Sequence, residues 1–198
     1  MRRILWISVL SGLIFVGLAG CTTTPTSNFF VLSAADAPAR GNASALALSI
    51  GPVDLPRYLD RPQIVSREGD NRLEVDEFNR WGGALDEEIS RALARQLGLG
   101  LGTDRVFSYP SRLATDSDYR IVLDIQTFDG GRGGDVTLAL VWSLIDDRTG
   151  QTLRTEQAVY TTPVSDERVE SYVVALSRVL ALLGNDLVVT LREVSQGR

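Results

Sequence analysis

Two hydrophobic periodicities divide the chain into candidate strands and helices. Apolar and polar residues alternate through residues 119–129 and 135–145, as in strands with one face on a core. Apolar residues instead recur every three or four positions through residues 84–97 and from 166 to about 190, as in amphipathic helices. The pattern therefore predicts a long hairpin and two helices.

Shorter apolar segments bounded by turn residues add further strands. Together with the hairpin, they give three early strands, a helix, about three more strands and a closing helix. This order predicts a single α+β domain whose sheet is mostly antiparallel, with both helices packed on one face. The shorter predicted strands are residues 29–33, 45–53, 63–67 and 151–161; the third of them returns through residues 72–75 after a turn at 68–71.

The closing helix carries more apolar residues than one core-facing stripe needs. Ala175, Leu182 and Val189 widen the stripe on one flank. Either a deep groove in the domain receives them, or they contact a partner protein. The predicted core stripe itself comprises Tyr172, Val173, Leu176, Val179, Leu180, Leu183 and Leu187.

The N-terminus has the pattern of a secretory signal. Arg2 and Arg3 precede residues 4–19, which carry no charge. As a helix, this stretch would be about 24 Å long, shorter than the roughly 30 Å of a bilayer's hydrocarbon core. A cleaved signal therefore fits better than a transmembrane helix.

The sequence Leu18-Ala19-Gly20-Cys21 resembles a bacterial lipobox. The resemblance implies that Cys21 is the lipidation site: its thiol takes a diacylglycerol, cleavage precedes it, and the new amino group is acylated. The alternative is an ordinary signal peptide with an incidental cysteine. The predicted organisation is a signal peptide at 1–20, the lipidated cysteine and tether at 21–28, and an α+β domain at 29–198. By resemblance to the sorting rule for lipoproteins, Thr22 in place of Asp favours the outer membrane.

Composition restricts the chemistry that the domain can perform. The chain has no histidine, a single cysteine, and arginine as its only basic residue type, apart from the N-terminus. The commonest general base and metal ligand are thus missing, and no intramolecular disulfide is possible. Loss of residues 1–20 leaves 18 arginines and 25 acidic residues, a net charge of −7. This acidity disfavours nucleic acid, and we expect no cofactor, no metal and no catalytic residues.

Three local motifs imitate functional sites but are better explained as structural. Glycines 98, 100 and 102 follow a helix rather than a strand, so we expect C-cap and loop glycines rather than a dinucleotide fingerprint. The sequence at 130–134, Gly-Gly-Arg-Gly-Gly, predicts a mobile hairpin loop, with an anion-binding nest around Arg132 as the alternative. Asp146 and Asp147 precede Arg-Thr-Gly and predict a turn rather than a metal site.

Four segments, in order, resemble the ABC-type transport auxiliary lipoproteins, the PqiC-like family. They are "FFVL" near the anchor, residues 49–67 with "LPRYLDRPQIV", residues 79–97 with "RW", and residues 119–130. The resemblance implies a periplasm-facing accessory to an MCE-type ABC lipid transporter that maintains envelope integrity. The partners implied are the MCE-type channel protein and its ABC transporter complex, and a homo-oligomer is possible. Gly82-Gly83 departs from the good helix formers expected there.

The loop at residues 55–62 and the closing helix supply the candidate partner-binding residues. Pro56 and Pro62 would stiffen the loop, which favours binding because less order is lost. The alternative is a structural loop whose apolar residues enter the core; Trp81 is predicted to be core as well. The partner-binding candidates are Arg57, Tyr58, Leu59, Arg61 and Leu182.

Two other functions compete with a docking subunit. A lipoprotein regulator of a cell-wall synthase would differ mainly in its partner. A periplasmic carboxylate hydrolase is disfavoured by the absent histidine and by carboxylates that concentrate in turns and at a helix N-terminus.

Overall fold

The computed structural model describes residues 26–34, 41, 44–109, 111 and 116–196. Cys21 and the predicted signal peptide lie outside the described residues. The described residues form eight strands and two helices in one α+β domain. In chain order these are β1 (Asn28–Phe30), β2 (Leu48–Asp54), β3 (Gln63–Glu68), β4 (Arg72–Trp81), α1 (Leu85–Leu101), β5 (Val106–Ser108), β6 (Tyr119–Gly130), β7 (Asp135–Asp146), β8 (Thr152–Pro163) and α2 (Val169–Gln196).

The strands form two sheets. The larger sheet has the order β5-β2-β6-β7-β8, and the smaller has the order β1-β4-β3. Strands β6, β7 and β8 pair antiparallel, as do β3 and β4. Strand β2 is parallel to both β5 and β6, and β1 is parallel to β4. The predicted α+β class is confirmed, with the addition of the second sheet, the parallel pairings and β5.

Alternation along β6 and β7 decides which face of the larger sheet is covered. Tyr119, Ile121 and Leu123 of β6 are fully buried, whereas Asp124 on the same strand is exposed. The buried residues of β7 pair with them in register and complete the same apolar face. They are Val136, Leu138, Leu140, Trp142 and Leu144, as the alternation predicts.

Both helices cover this face and run side by side. The Nε2 of Gln96 in α1 donates to the backbone oxygen of Ala181 in α2, at 2.7 Å. Near the two C-termini, the Nη2 of Arg192 donates to the backbone oxygen of Gly100, also at 2.7 Å. The helices are therefore parallel. Every residue of the predicted core stripe of α2 is buried, which confirms that stripe.

Both helices extend beyond their predicted ends, and α1 includes two of the glycines assigned to its cap and loop. Gly98 and Gly100 lie in its last turns, and only Gly102 is a C-cap, with a left-handed φ of 68°. Its N–H bonds back to Leu99, as at many helix ends. Gly100 meets the backbone of Gly41 too closely for a side chain on Gly41. A Cβ on Gly98 would lie 3.0 Å from the backbone oxygen of Thr103, so tight packing at the helix end favours glycine at this position.

Helix α2 is long and apolar enough, by length and composition, to cross a membrane. Two-thirds of its most apolar window, 67%, is nevertheless buried inside the domain. The sheet and α1 account for its hydrophobicity, which is that of a core helix.

Close helix packing makes Gly184 of α2 sensitive to substitution. A Cβ at this position would lie 2.6 Å from Cδ of Gln96, a side chain that is itself buried and hydrogen-bonded. We expect Gly184→Val to lower the free energy of unfolding by about 1–3 kcal/mol. Val189→Ala, on the exposed side of the same helix, should change it by less than about 0.5 kcal/mol. Equal effects in chemical denaturation would contradict this packing.

Candidate functional site

The loop between β2 and β3 combines exposed arginines with side chains that face inward. The N–H of Leu59 bonds to the oxygen of Pro56 at 2.9 Å, which closes a tight turn. This turn points Leu59 into the core, where it is 3% exposed. The inclusion of Leu59 among the partner-binding candidates is therefore wrong, because a buried side chain cannot contact a partner. Arg57 and Arg61 are exposed on the same loop.

A buried carboxylate, Asp129 of β6, holds the loop between β2 and β3 in place. Its side chain is 1% exposed and lies near the end of β6. The hydroxyl of Tyr58 donates to Oδ2 at 2.5 Å. The guanidinium of Arg67 in β3 donates through Nε to Oδ1 at 2.7 Å and through Nη2 to Oδ2 at 3.2 Å. Tyr58 thus has a structural role in the described conformation, rather than presenting a free hydroxyl to a partner.

Burial and this carboxylate alter the acidity of the groups around it. Burial of Tyr58, followed by its hydrogen bond to Asp129, raises the pKa of the Tyr58 phenol to about 12. The hydrogen bond to Asp129 also raises the pKa of Arg67. The phenol stays neutral and the guanidinium stays charged at physiological pH. Asp129 therefore keeps both hydrogen-bond donors throughout that range.

Tyr172 connects α2 to the same region. Its hydroxyl accepts from the N–H of Gly130 at 3.2 Å and donates to the oxygen of Val65 at 2.9 Å. Burial raises the pKa of Tyr172, and the charge of Asp129 raises it further. A single phenol therefore links the end of β6 to β3, and both to the first turns of α2.

The glycine-rich hairpin is tied to the smaller sheet by an ion pair. Nη2 of Arg132 donates to Oδ2 of Asp76 at 2.8 Å, and both side chains are mostly buried. Burial alone would raise the pKa of Asp76, but hydrogen bonds from Asn79 and Arg132 bring it below the usual value. The guanidinium of Arg132 is thus already paired with Asp76, whereas the alternative of an anion-binding nest required it to bind an anion. The predicted hairpin between β6 and β7 is present, and this ion pair connects it to β4.

The candidate residue on the closing helix is exposed. Leu182 is 41% exposed, and Val174 and Val189 on the same side of α2 are 46% and 54% exposed. Ala175, in contrast, is buried. The flank therefore divides: Ala175 belongs to the core, and Val174, Leu182 and Val189 form an exposed apolar ridge on α2.

The remaining carboxylate candidate is structural. Asp146 Oδ1 accepts the N–H groups of Arg148 and Thr149 at 3.0 and 3.1 Å, which makes the predicted turn. Asp147 pairs with Ser117 and Arg120. Within the part of the chain that the structure describes, no three cysteine or acidic side chains are grouped as metal ligands.

A shallow cleft of about 790 Å³ lies between the β3–β4 turn and the glycine-rich hairpin. Charged side chains of both signs line it, and Arg72 pairs with Glu68 across the turn. Arg67 and Arg132, which also line it, are held by Asp129 and Asp76. Each of the three arginines that line the cleft thus has an acidic partner.

Solved structures share this architecture. An uncharacterized protein matches with a TM-score of 0.68 and 18% identity, over 84% of this chain and 99% of that protein. A protein from Xanthomonas campestris matches with a TM-score of 0.64 and 16% identity, over 85% and 99%. At these identities the likeness shows a common fold. No curated protein sequence matches the chain.

The class of protein follows from a family model. The model describes the ABC-type transport auxiliary lipoprotein component, and it matches residues 30–188. The chain belongs to this family, as the resemblance predicted. Membership indicates a membrane-anchored lipoprotein that is associated with an ABC transporter system.

Sequence pattern did not identify Asp129, Arg67 or Tyr172 as a connected group. Asp129 and Arg67 are 62 positions apart, and Tyr172 lies 107 positions from Val65. The one local signal is an acidic residue at the end of an apolar strand, next to a glycine. That signal is also typical of an ordinary hairpin, so it could not have distinguished a buried, bonded carboxylate from a simple turn residue.

Asp129→Asn tests whether this carboxylate holds the loop. The substitution keeps the shape but removes the charge and one acceptor from Tyr58 and Arg67, so we expect a loss of about 1–3 kcal/mol in unfolding free energy. Asp124→Asn is the matched control, because Asp124 is exposed on the same strand and should change stability by less than about 0.5 kcal/mol. If the two variants unfold at the same denaturant concentration, Asp129 does not stabilise the domain.

Proposed function

We propose that this protein is a non-catalytic docking subunit of an MCE-type ABC lipid-transport system, anchored to the outer membrane and facing the periplasm. The observation that carries the proposal is the family match over residues 30–188. The lipid cargo, the outer membrane and the channel partner are inferred from the resemblance of the sequence motifs and from the surfaces described above.

The anchor is assigned to Cys21. This residue follows the lipobox-like sequence, and it precedes the first described residue by five positions. Its acylation would hold the domain at a membrane without help from electrostatics, since the mature chain is acidic. More than one acyl chain gives stable attachment, whereas a single chain binds only marginally.

The docking surface is assigned to the ridge of α2 and to the loop arginines. Interfaces gain most of their affinity from a few apolar or arginine side chains that lose water on binding. Leu182 supplies such a side chain from a rigid helix. Arg57 and Arg61 have no ion-pair partner among the described residues, and the loop that carries them is fixed by the Tyr58–Asp129 bond. Little order is therefore lost when they bind.

A docking role agrees with the chemistry of the domain. The mostly buried acidic side chains at the candidate site, Asp76 and Asp129, are each bound by arginine, so neither is poised for general acid or base catalysis. The rival proposal, regulation of a cell-wall synthase, would use the same kind of surface with another partner. Identification of the partner separates the two.

Cys21→Ala tests the anchor. We expect the variant to incorporate no radiolabelled palmitate, because the acceptor thiol is lost, and to keep a folded domain, because Cys21 precedes β1. Thr24→Ala is the control and should be labelled like the wild type. If the Cys21→Ala protein still incorporates label, another residue is acylated and Cys21 is not the anchor.

Photo-cross-linking from single positions tests the docking surface. A photoreactive residue in place of Leu182, or of Arg61, should form an adduct with the MCE-type channel in intact cells. The control is Val159, which is 63% exposed on β8 and lies outside the proposed surface. Adducts with a cell-wall synthase would favour the rival function, and channel adducts from Val159 alone would place the interface elsewhere.

Two substitutions complement the cross-linking. Arg61→Glu should change unfolding free energy by less than about 0.5 kcal/mol, because its side chain is exposed. Leu182→Asp should lower it by about 1 kcal/mol, because Leu182 is 41% exposed and aspartate is a poorer helix former than leucine. Each should reduce recovery of the channel with the protein. Unfolding of the Arg61→Glu variant would instead show that the loop arginine is structural.

A further inference from the structure

The smaller sheet has an apolar face that no described element covers. In β1, Phe29 is 69% exposed, and Val31 just after this strand is 59% exposed. Phe78 of β4 is 42% exposed. These three side chains form what we call the β1 patch. Large apolar side chains grouped at a surface usually mark a contact with a protein, a ligand or a membrane.

Strand pairing places the members of the β1 patch together. Phe29 pairs with Arg80, and Phe30 pairs with Trp81. Because side chains alternate along strands, Phe30 and Trp81 face the core while Phe29 and Arg80 face outward. Val31, two residues after Phe29, lies on the same side by this alternation. Phe78 is exposed two residues before Arg80, at the register shift in the β3–β4 pairing.

Gly82 keeps the patch open. Its N–H donates to the oxygen of Phe30 at 2.7 Å, which continues the pairing beyond Trp81. A Cβ at Gly82 would lie 2.9 Å from Cγ1 of Val31. A larger residue would therefore displace or cover Val31. This contact accounts for a glycine where the sequence pattern led us to expect a helix former.

We propose that the β1 patch rests on the lipid bilayer and orients the anchored domain on it. This inference rests on the proposed acylation of Cys21. Seven residue steps separate Cys21 from Asn28, at most about 25 Å of extended chain. The strand that follows this short tether is the one that carries Phe29.

Apolar insertion, rather than charge, accounts for the lipid contact. Arg80 lies on the patch face, but Glu77 is exposed nearby on the same strand, so local charges oppose each other. Phenylalanine is among the side chains that bury into the boundary between headgroups and acyl chains. The anchor supplies a high effective concentration, so a small patch suffices to set orientation. The contact should therefore form on zwitterionic as well as anionic lipid.

The patch is separate from the proposed docking residues. In the strand order β1-β4-β3, β1 and β3 are the two edges. Arg61 precedes β3, and Leu182 belongs to α2. The two proposed surfaces therefore involve different elements of the fold.

Site-specific fluorescence on the acylated full-length product tests the proposal. Cys21 is the only cysteine and its thiol is acylated in the proposed anchor, so one added cysteine gives a unique free thiol for an environment-sensitive fluorophore. The test variants are Phe29→Cys, Val31→Cys and Phe78→Cys. The controls are Val159→Cys and Val189→Cys, at exposed apolar positions on β8 and α2. Each purified protein is reconstituted into phosphatidylcholine vesicles, with and without phosphatidylglycerol.

We expect a blue shift and loss of fluorescence with brominated lipid at the three patch positions, and neither at the two controls. The loss should be similar with and without phosphatidylglycerol and unchanged by salt. Proteins that float with vesicles but show no quenching at any patch position would overturn the proposal and leave the anchor intact. Proteins without acyl groups by mass would overturn the anchor itself. A blue shift that depends on protein concentration but not on brominated lipid would indicate contact between copies of the protein. This result would also overturn the proposal that the β1 patch rests on the bilayer.

Discussion

A buried negative charge determines how the parts of this domain fit together. Asp129 is almost completely removed from water, and an isolated carboxylate in that position would be strongly unfavourable. Its hydrogen-bond donors come from the β2–β3 loop through Tyr58 and from β3 through Arg67. The neighbouring residue, Gly130, bonds to Tyr172 of α2. The need to satisfy this carboxylate thus fixes the loop and the smaller sheet to the end of β6, and the adjacent Gly130 connects the same point to the start of α2.

This constraint separates the structural residues of the loop from its exposed residues. Tyr58 and Leu59 face inward and hold the loop, whereas Arg57 and Arg61 remain at the surface. A loop held in this way presents the two arginines in fixed positions. We assign the α2 ridge and the loop arginines to contact with a transporter partner. We assign the β1 patch to contact with the bilayer.

Periodicity in the sequence was sufficient for most of the fold, because a core face repeats locally. It predicted β6, β7 and the buried stripe of α2, and it placed Trp81 in the core, where it is 5% exposed. It did not predict β5, because the two apolar residues of this strand, Val106 and Phe107, form too short a run to distinguish a strand from a loop. It also could not separate Leu59 from Arg61, because the turn that buries one and exposes the other depends on contacts with the core. Asp129 and its partners are joined only by folding, so no local pattern identifies them.

If this chain works as an accessory of an ABC-type transporter, its partners in the native envelope include the subunits of that transporter. The measurement is quantitative mass spectrometry of the tagged wild-type protein purified from envelopes after chemical cross-linking. We expect the MCE-type channel to be enriched together with the permease and ATPase of one transporter, in a constant ratio. Enrichment of a cell-wall synthase without any transporter subunit would contradict this accessory role.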